Sequence, residues 1–220
     1  MRSISLAAVL SMVSACAMAQ SPPADKLSKI PEGVLTDGTY INQELGINFK
    51  LPEEWPAKLG PAMPTLFSPD QDAPANRCTR ILLEYEAKPK DSTAKGVVFA
   101  IDPDCLGIGS FPAADAQRPE LEAFNVKVME IYHHSTFFPP SGAQLYAFRG
   151  SGEKSRLFLG LAGSAELQPP GTDAGVKREP VAMNTLFVVV NVDKCWVGWA
   201  IVADDKAKDE FARDSSMTVK

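Results

Sequence analysis

The chain has 220 residues, 22 Lys and Arg against 27 Asp and Glu, a formal net charge of −5, 45% apolar residues and 22% charged ones. These proportions suit one globular domain with a real core, and they exclude both wholesale disorder and a membrane-embedded body. The basic residues are scattered rather than gathered into the stripe that nucleic acid requires, and no later apolar run reaches the length of a spanning helix.

Residues 1–19 read as an export signal. Arg2 supplies the positive start, Ile4 to Val13 the short apolar run, and Ala17-Met18-Ala19 before Gln20 a small-residue cleavage site. Loss of Arg2 with the signal takes the net charge from −5 to −6. A second reading overlaps the first: Val13-Ser14-Ala15-Cys16 has the pattern at which lipoprotein signals are cut and the cysteine is acylated, so Cys16 is a candidate lipid anchor. Residues 20–37 follow as a linker, with three prolines between Ser21 and Glu32 and no sustained apolar period. The folded body, 38–220, is expected to begin at Gly38, with two short strands in 38–51 ended by Pro52 and a core Trp55 beyond them. Gly60 to Asn76 holds four prolines and little periodicity, and reads as an irregular surface loop.

Three cysteines lie beyond the signal: Cys78, Cys105 and Cys195. An exported chain meets oxidants, so one pair should bridge. Thr79 to Ala87 and Gly96 to Asp102 read as strands joined by the polar stretch Lys88 to Lys95, and a symmetric hairpin places Cys78 opposite Cys105 at its open end. A bridge there closes a loop of about 28 residues, worth roughly 3 kcal/mol. Pro119, then Leu121, Phe124, Val128, Ile131 and Tyr132 at helical spacing, predict an amphipathic helix stopped by Pro139-Pro140-Ser141-Gly142. Gln144 to Arg149 and Arg156 to Leu161 follow as strands, and Gln168 to Pro180 as an exposed insertion.

The clearest pattern comes last. Leu186 to Val192 and Cys195 to Val202 flank Asp193-Lys194, and a symmetric hairpin sets Leu186, Val188, Val190 and Val192 against Ile201, Trp199, Val197 and Cys195 on one apolar face. The opposite face, with Phe187, Val189 and Trp196, is apolar too, so something must cover both sides. The helix Asp204 to Arg213 is placed to help cover that second side, and Met217 to Lys220 returns as a short strand. Cys195, on the core face, reads as a buried thiol rather than a bridge partner.

Gly38-Thr39-Tyr40-Ile41-Asn42, then Leu45 to Pro52 and Trp55, resemble the opening of PsbP-like domains, and Leu186 to Arg213 resembles their closing strand pair and helix. The resemblance is carried by the two ends of the mature chain. Exported bacterial proteins of this type look similar. The cysteine pair and the Pro/Gly-rich insertion are additions to that pattern. The resemblance implies an α+β fold, an antiparallel sheet with helices packed on its faces as an α/β/α sandwich. It also implies a role in binding or assisting other proteins, with no shared active site to carry over.

The chemical motifs give little. His133 and His134 are adjacent at a helix end, where they serve as a polar cap; neighbouring helical positions point about 100° apart, unlike an i, i+4 metal pair. A cysteine hydrolase would need Cys195 beside one of those histidines, yet apolar neighbours should raise that thiol's pKa. Asp102-Pro103-Asp104 and Asp70-Gln71-Asp72 lack the spaced ligands of a calcium loop and read as turns, while Asp204-Asp205 suits a helix start. Gly107, Gly109, Gly160 and Gly163 lack the context of a phosphate loop. No serine stands in a nucleophile elbow, and Asn76-Arg77-Cys78 is no glycosylation sequon. The expectation is therefore an extracytoplasmic, non-catalytic binding or accessory domain, periplasmic or secreted. It has no assigned catalytic, cofactor or metal residue, an unidentified protein or envelope partner, no nucleic acid partner, and a membrane link only through Cys16. A hydrolase built on Cys195, or a structural envelope lipoprotein, is the alternative.

Overall fold

A computed structural model of the chain describes residues 26–60, 67–87, 93–135, 137, 143–150, 156–167, 181–192 and 195–220. The signal segment, Cys16 and the 168–180 insertion lie outside the described residues. The structure is mixed α+β and mostly strand. In chain order come a 3-10 turn (Lys26–Lys29), β1 (Val34–Thr36), β2 (Thr39–Asn42), β3 (Ile47–Lys50), β4 (Ala57–Leu59) and the single-turn helix α1 (Pro74–Arg77). Then follow β5 (Thr79–Glu86), β6 (Ala94–Ile101), the single-turn α2 (Pro103–Leu106), α3 (Arg118–Tyr132), β7 (Gln144–Arg149) and β8 (Leu157–Leu167). The chain closes with β9 (Val181–Val192), β10 (Cys195–Ala203), α4 (Asp205–Asp214) and β11 (Ser216–Val219). Described strands pair antiparallel in a seven-stranded sheet, β4-β5-β6-β10-β9-β8-β7, and a four-stranded one, β1-β2-β3-β11.

The closing hairpin takes the register its sequence dictates. Leu186 faces Ile201, Val188 faces Trp199, Val190 faces Val197 and Val192 faces Cys195. One face of this pair packs under Tyr40, Ile47 and Phe49 of the small sheet and Ala207 and Phe211 of α4. The other face, through Phe187, Val189, Trp196 and Ala200, packs against Phe124, Val128 and Tyr132 of α3. The expectation that α4 covers the second face is thus corrected: α3 covers it, and α4 joins the small sheet on the first. The Tyr132 hydroxyl pairs with Thr79 Oγ1 at 2.6 Å, tying α3 to β5, and burial raises the tyrosine's pKa above its ordinary value. At Gly198 the sheet has no room for a side chain, because a Cβ would run into the Val188 carbonyl oxygen and the Phe99 ring. Gly198→Ala should therefore cost about 1–3 kcal/mol, read as a lowered urea midpoint; an unchanged midpoint would mean that β9 and β10 have slack there.

The body begins well before Gly38, which corrects the expected 20–37 linker. Leu27 and Ile30 are buried in the core beneath the small sheet. Arg80 donates through Nη1 to the Leu27 and Ile30 carbonyls, Asn42 donates through Nδ2 to that of Pro31, and Tyr40 through its hydroxyl to that of Glu32. Asp37 and Gly38, with φ of 48° and 70°, then turn β1 back onto β2. Both central residues at positive φ make the tight hairpin that an Asp-Gly pair favours.

The expected 60–76 surface loop is exposed at residues 69–72 and at Pro74, but other parts of its described length reach inward. Phe67 is buried against Phe99 and Tyr132. Asn76 organises the segment: its Oδ1 accepts from Ser68 N–H, and its Nδ2 donates to the Ser68 and Asp70 carbonyls. Trp55 is the core plug its position suggested, lying 5.9 Å from the Phe211 ring and donating through Nε1 to Glu210 at 3.0 Å.

Candidate functional site

The alternation of β8 creates a cleft. Leu159 and Leu161 point to α3 and are buried there, whereas Phe158, Gly160, Ala162 and Ser164 fall on the other face, where successive side chains must point. Three of these four are small, so the sheet is shallow along that line. The small sheet and α4 cover β5, β6 and much of β10 on this face, but they stop short of β8 and β7. What results is a cleft of about 800 Å³. Phe158, Leu186, Trp199 and Ile201 floor it, α4 and β11 form one wall, and Gln144, Tyr146 and Phe148 of the edge strand β7 form the other.

The floor is aromatic and fixed. Phe148 stacks on Phe158 with ring centres 5.1 Å apart and planes 6° apart, and Phe158 lies 6.1 Å from Trp199, which in turn lies 6.2 Å from Phe49. Tyr146 and Phe148 keep 47% and 44% of their surface exposed, which places two aromatic rings at the rim of the cleft. Polar groups stand at its ends. Arg156, two residues before Phe158 and so on the same face, donates from Nη1 to the Asn191 carbonyl and from Nη2 to the main-chain oxygen of Lys220, each at 2.8 Å. Lys208 lies 3.2 Å from Asp205 Oδ1 and 3.5 Å from Asn184 Oδ1. The Asn184 amide, at 2.9 Å, and the Lys208 ammonium hold the Asp205 carboxyl below the usual carboxylate range.

The residues singled out from sequence lie elsewhere. The sulfurs of Cys78 and Cys105 sit at disulfide distance with Cα atoms 5.5 Å apart, as a bridge requires. Their meeting has a different cause from the expected symmetric register. Thr79 pairs with Ile101 and Ile81 with Phe99, after which the register shifts at Leu83 and Val98. Cys78 caps α1 and Cys105 belongs to α2, and these two turns are drawn together by the Asp102 N–H donating to the Cys78 carbonyl at 2.9 Å.

Cys195 is buried on the face under the small sheet, while α3 and its terminal His133 and His134 belong to the opposite face. The sheet stands between thiol and imidazoles, so the structure does not bring together the pair a hydrolase would need. The two exposed imidazole rings lie 3.8 Å apart, and His133 Nδ1 is 2.7 Å from the Glu130 carbonyl, a helix-end contact. The acidic pairs are turns and caps: Asp70 accepts from Asp72 N–H, Asp102 from the Asp104 and Cys105 N–H groups, and Asp204 from Ala207 N–H. Among the described residues no group of three or more His, Cys, Asp and Glu gathers as a metal site would, and no helix is long and apolar enough to cross a membrane.

No family model, curated protein or solved structure matches the chain. The cleft residues Tyr146, Phe148, Arg156, Asn184 and Lys208 escaped the sequence reading, since they come from separate elements. The only local signal was the run Phe158-x-Gly160-x-Ala162-x-Ser164, which hollows one face of a strand.

Proposed function

We propose that this chain is an extracytoplasmic, non-catalytic binding or accessory domain, PsbP-like in type, that acts through the cleft over β7, β8 and β9. The observation that carries the reading is the aromatic floor beside a column of small residues, a concave surface whose apolar floor is bordered by hydroxyl, amide and cationic side chains. The described lining holds amides, hydroxyls and two cations but no cysteine or histidine, the nucleophile and base of the hydrolase alternative. Export is supported by the signal-like residues 1–19 and by the cysteine pair at disulfide distance. Intact mass of the native-expressed protein distinguishes a soluble form beginning at Gln20 from one tethered through acylated Cys16.

The binding reading is tested with a panel of uncharged aromatic and aliphatic fragments, mapped by amide NMR shifts on the protein and on its Ala162→Trp variant. Expected are shifts clustered on β8, β9 and α4 in the parent protein, weakened at least tenfold in the variant, whose indole fills the cleft. Hits scattered over other surfaces, or ester turnover abolished by Cys195→Ala, would overturn the reading.

A further inference from the structure

The two edges of the large sheet are built differently. β4, at one edge, is three residues long, carries Lys58 at its centre and lies between Pro56 and Pro61, all devices that keep an edge from pairing. β7, at the other edge, has none of them. It runs six residues against β8 without a register shift, holds no proline, and has its one charge, Arg149, at its end. The Gly150 N–H donates to the Arg156 carbonyl at 3.1 Å, so by alternation Phe148, Tyr146 and Gln144 are the residues bonded to β8. The main-chain N–H and C=O groups of Leu145, Ala147 and Arg149 therefore point away from β8, and no described strand pairs with them. Apolar surface gathers on the same edge. Of the four large apolar side chains exposed among the described residues, all but Val34 lie here: Tyr146 and Phe148 over the cleft, and Val126 of α3 in a groove on the opposite face, which Leu145 and Ala147 also line. The two charges of that groove, Arg118 and Glu122, bond each other at 2.7 Å.

We propose that β7 is a dimerisation edge, to which a second copy of this chain adds its own β7 antiparallel, joining the two large sheets into one. The outward groups dictate the geometry. Odd-numbered residues must meet odd-numbered ones, so the two-fold axis stands perpendicular to the sheet and passes at Tyr146 or at Ala147. In either register Tyr146 faces an aromatic ring, that of Tyr146 of the partner subunit or of Phe148 of the partner subunit. The two arginines at position 149 fall toward opposite ends, at least about 13 Å apart, beyond the reach of screened repulsion. An edge that is uncharged at its centre, apolar on both faces and regular in its hydrogen bonding fits itself, as an isologous interface requires. The two clefts then open on the same side of the joined sheet, with β7 as the wall between them. This goes beyond the reading of the cleft as a binding face and does not depend on it.

Sedimentation velocity on the full mature protein, from about 1 to 100 µM, tests this. Expected is a concentration-dependent shift from one chain mass to two. Ala147→Pro removes an N–H that points away from β8, so it should leave the Tm near that of the parent protein while weakening the dimer at least about tenfold. Tyr146→Lys and Tyr146→Glu should each be monomeric alone, and an equimolar mixture of the two should dimerise, since opposite charges then meet across the axis. A parent protein that stays monomeric over the whole range overturns the proposal and leaves the edge to a strand of another protein. A dimer that survives both Ala147→Pro and Tyr146→Lys overturns it too, because the interface then lies elsewhere, as does a Lys and Glu mixture that stays monomeric. Should Ala147→Pro not fold, the Tyr146 pair still decides.

Discussion

Trp196→Ala is expected to lower the unfolding free energy by about 3–5 kcal/mol, a large part of the 5–15 kcal/mol typical of a domain. Trp196 is buried at the centre of the contact between the large sheet and α3, its ring 5.1 Å from Phe124 and 5.6 Å edge-on from Phe111. It projects from β10, the strand that holds β6 on one side and β9 on the other. Truncation removes the largest apolar group of that layer and leaves a cavity that β10, pinned by both neighbours, cannot collapse to fill. Trp199, three residues on and facing the cleft, is only partly buried, so Trp199→Ala should cost clearly less. Urea denaturation of the two variants beside the parent protein checks this. A loss under about 1 kcal/mol for Trp196→Ala, or equal losses for both, would mean that α3 does not seal that face.

What could be read from sequence divides along the same line between local and tertiary causes. The β9–β10 hairpin was legible to the residue because only two residues separate Val192 from Cys195, and so short a connection sets the register of the strands it joins. The β5–β6 hairpin was legible as a pair of strands but not in register, because its connection is long and a bulge between Ile81 and Leu83 shifts the count. Residues 26–36 show only a few apolar side chains without period; Leu27 and Ile30 are held by Arg80, a residue some fifty positions away, and no local pattern announces that. Asp37-Gly38, by contrast, was a hairpin signal in plain view, and weighing it would have placed β1 before Gly38. The side on which α4 lands was not readable, since the choice depends on the small sheet that β11 completes by pairing with β3. The cleft is tertiary in the same sense: β7, β8, β9, α4 and β11 each contribute a few residues, and only the small-residue alternation of β8 hints at it.

Reduction, or Cys105→Ala, should lower stability by about 3 kcal/mol, the loop-closure value for a bridge spanning 27 positions. For a chain of this size that is a fall in Tm of roughly 6–12 °C. The two cysteines sit in unlike surroundings, and this gives the test a second edge. Cys105 is exposed, so dithiothreitol can reach the pair, whereas Cys78 is fully buried beside Thr79 and the Asn76 network. Cys105→Ala leaves Cys78 as a buried thiol, which packs as a small apolar group. Cys78→Ser puts a hydroxyl in that closed site and should cost about 1–3 kcal/mol beyond the lost bridge. The ordering expected from thermal melts is therefore oxidised parent, then reduced parent and Cys105→Ala together, then Cys78→Ser. If dithiothreitol leaves the parent's Tm unchanged while mass spectrometry shows both thiols labelled, the pair contributes no closure energy. Packing of α1 and α2 about the Asp102 cap would then suffice to hold the two strand ends together.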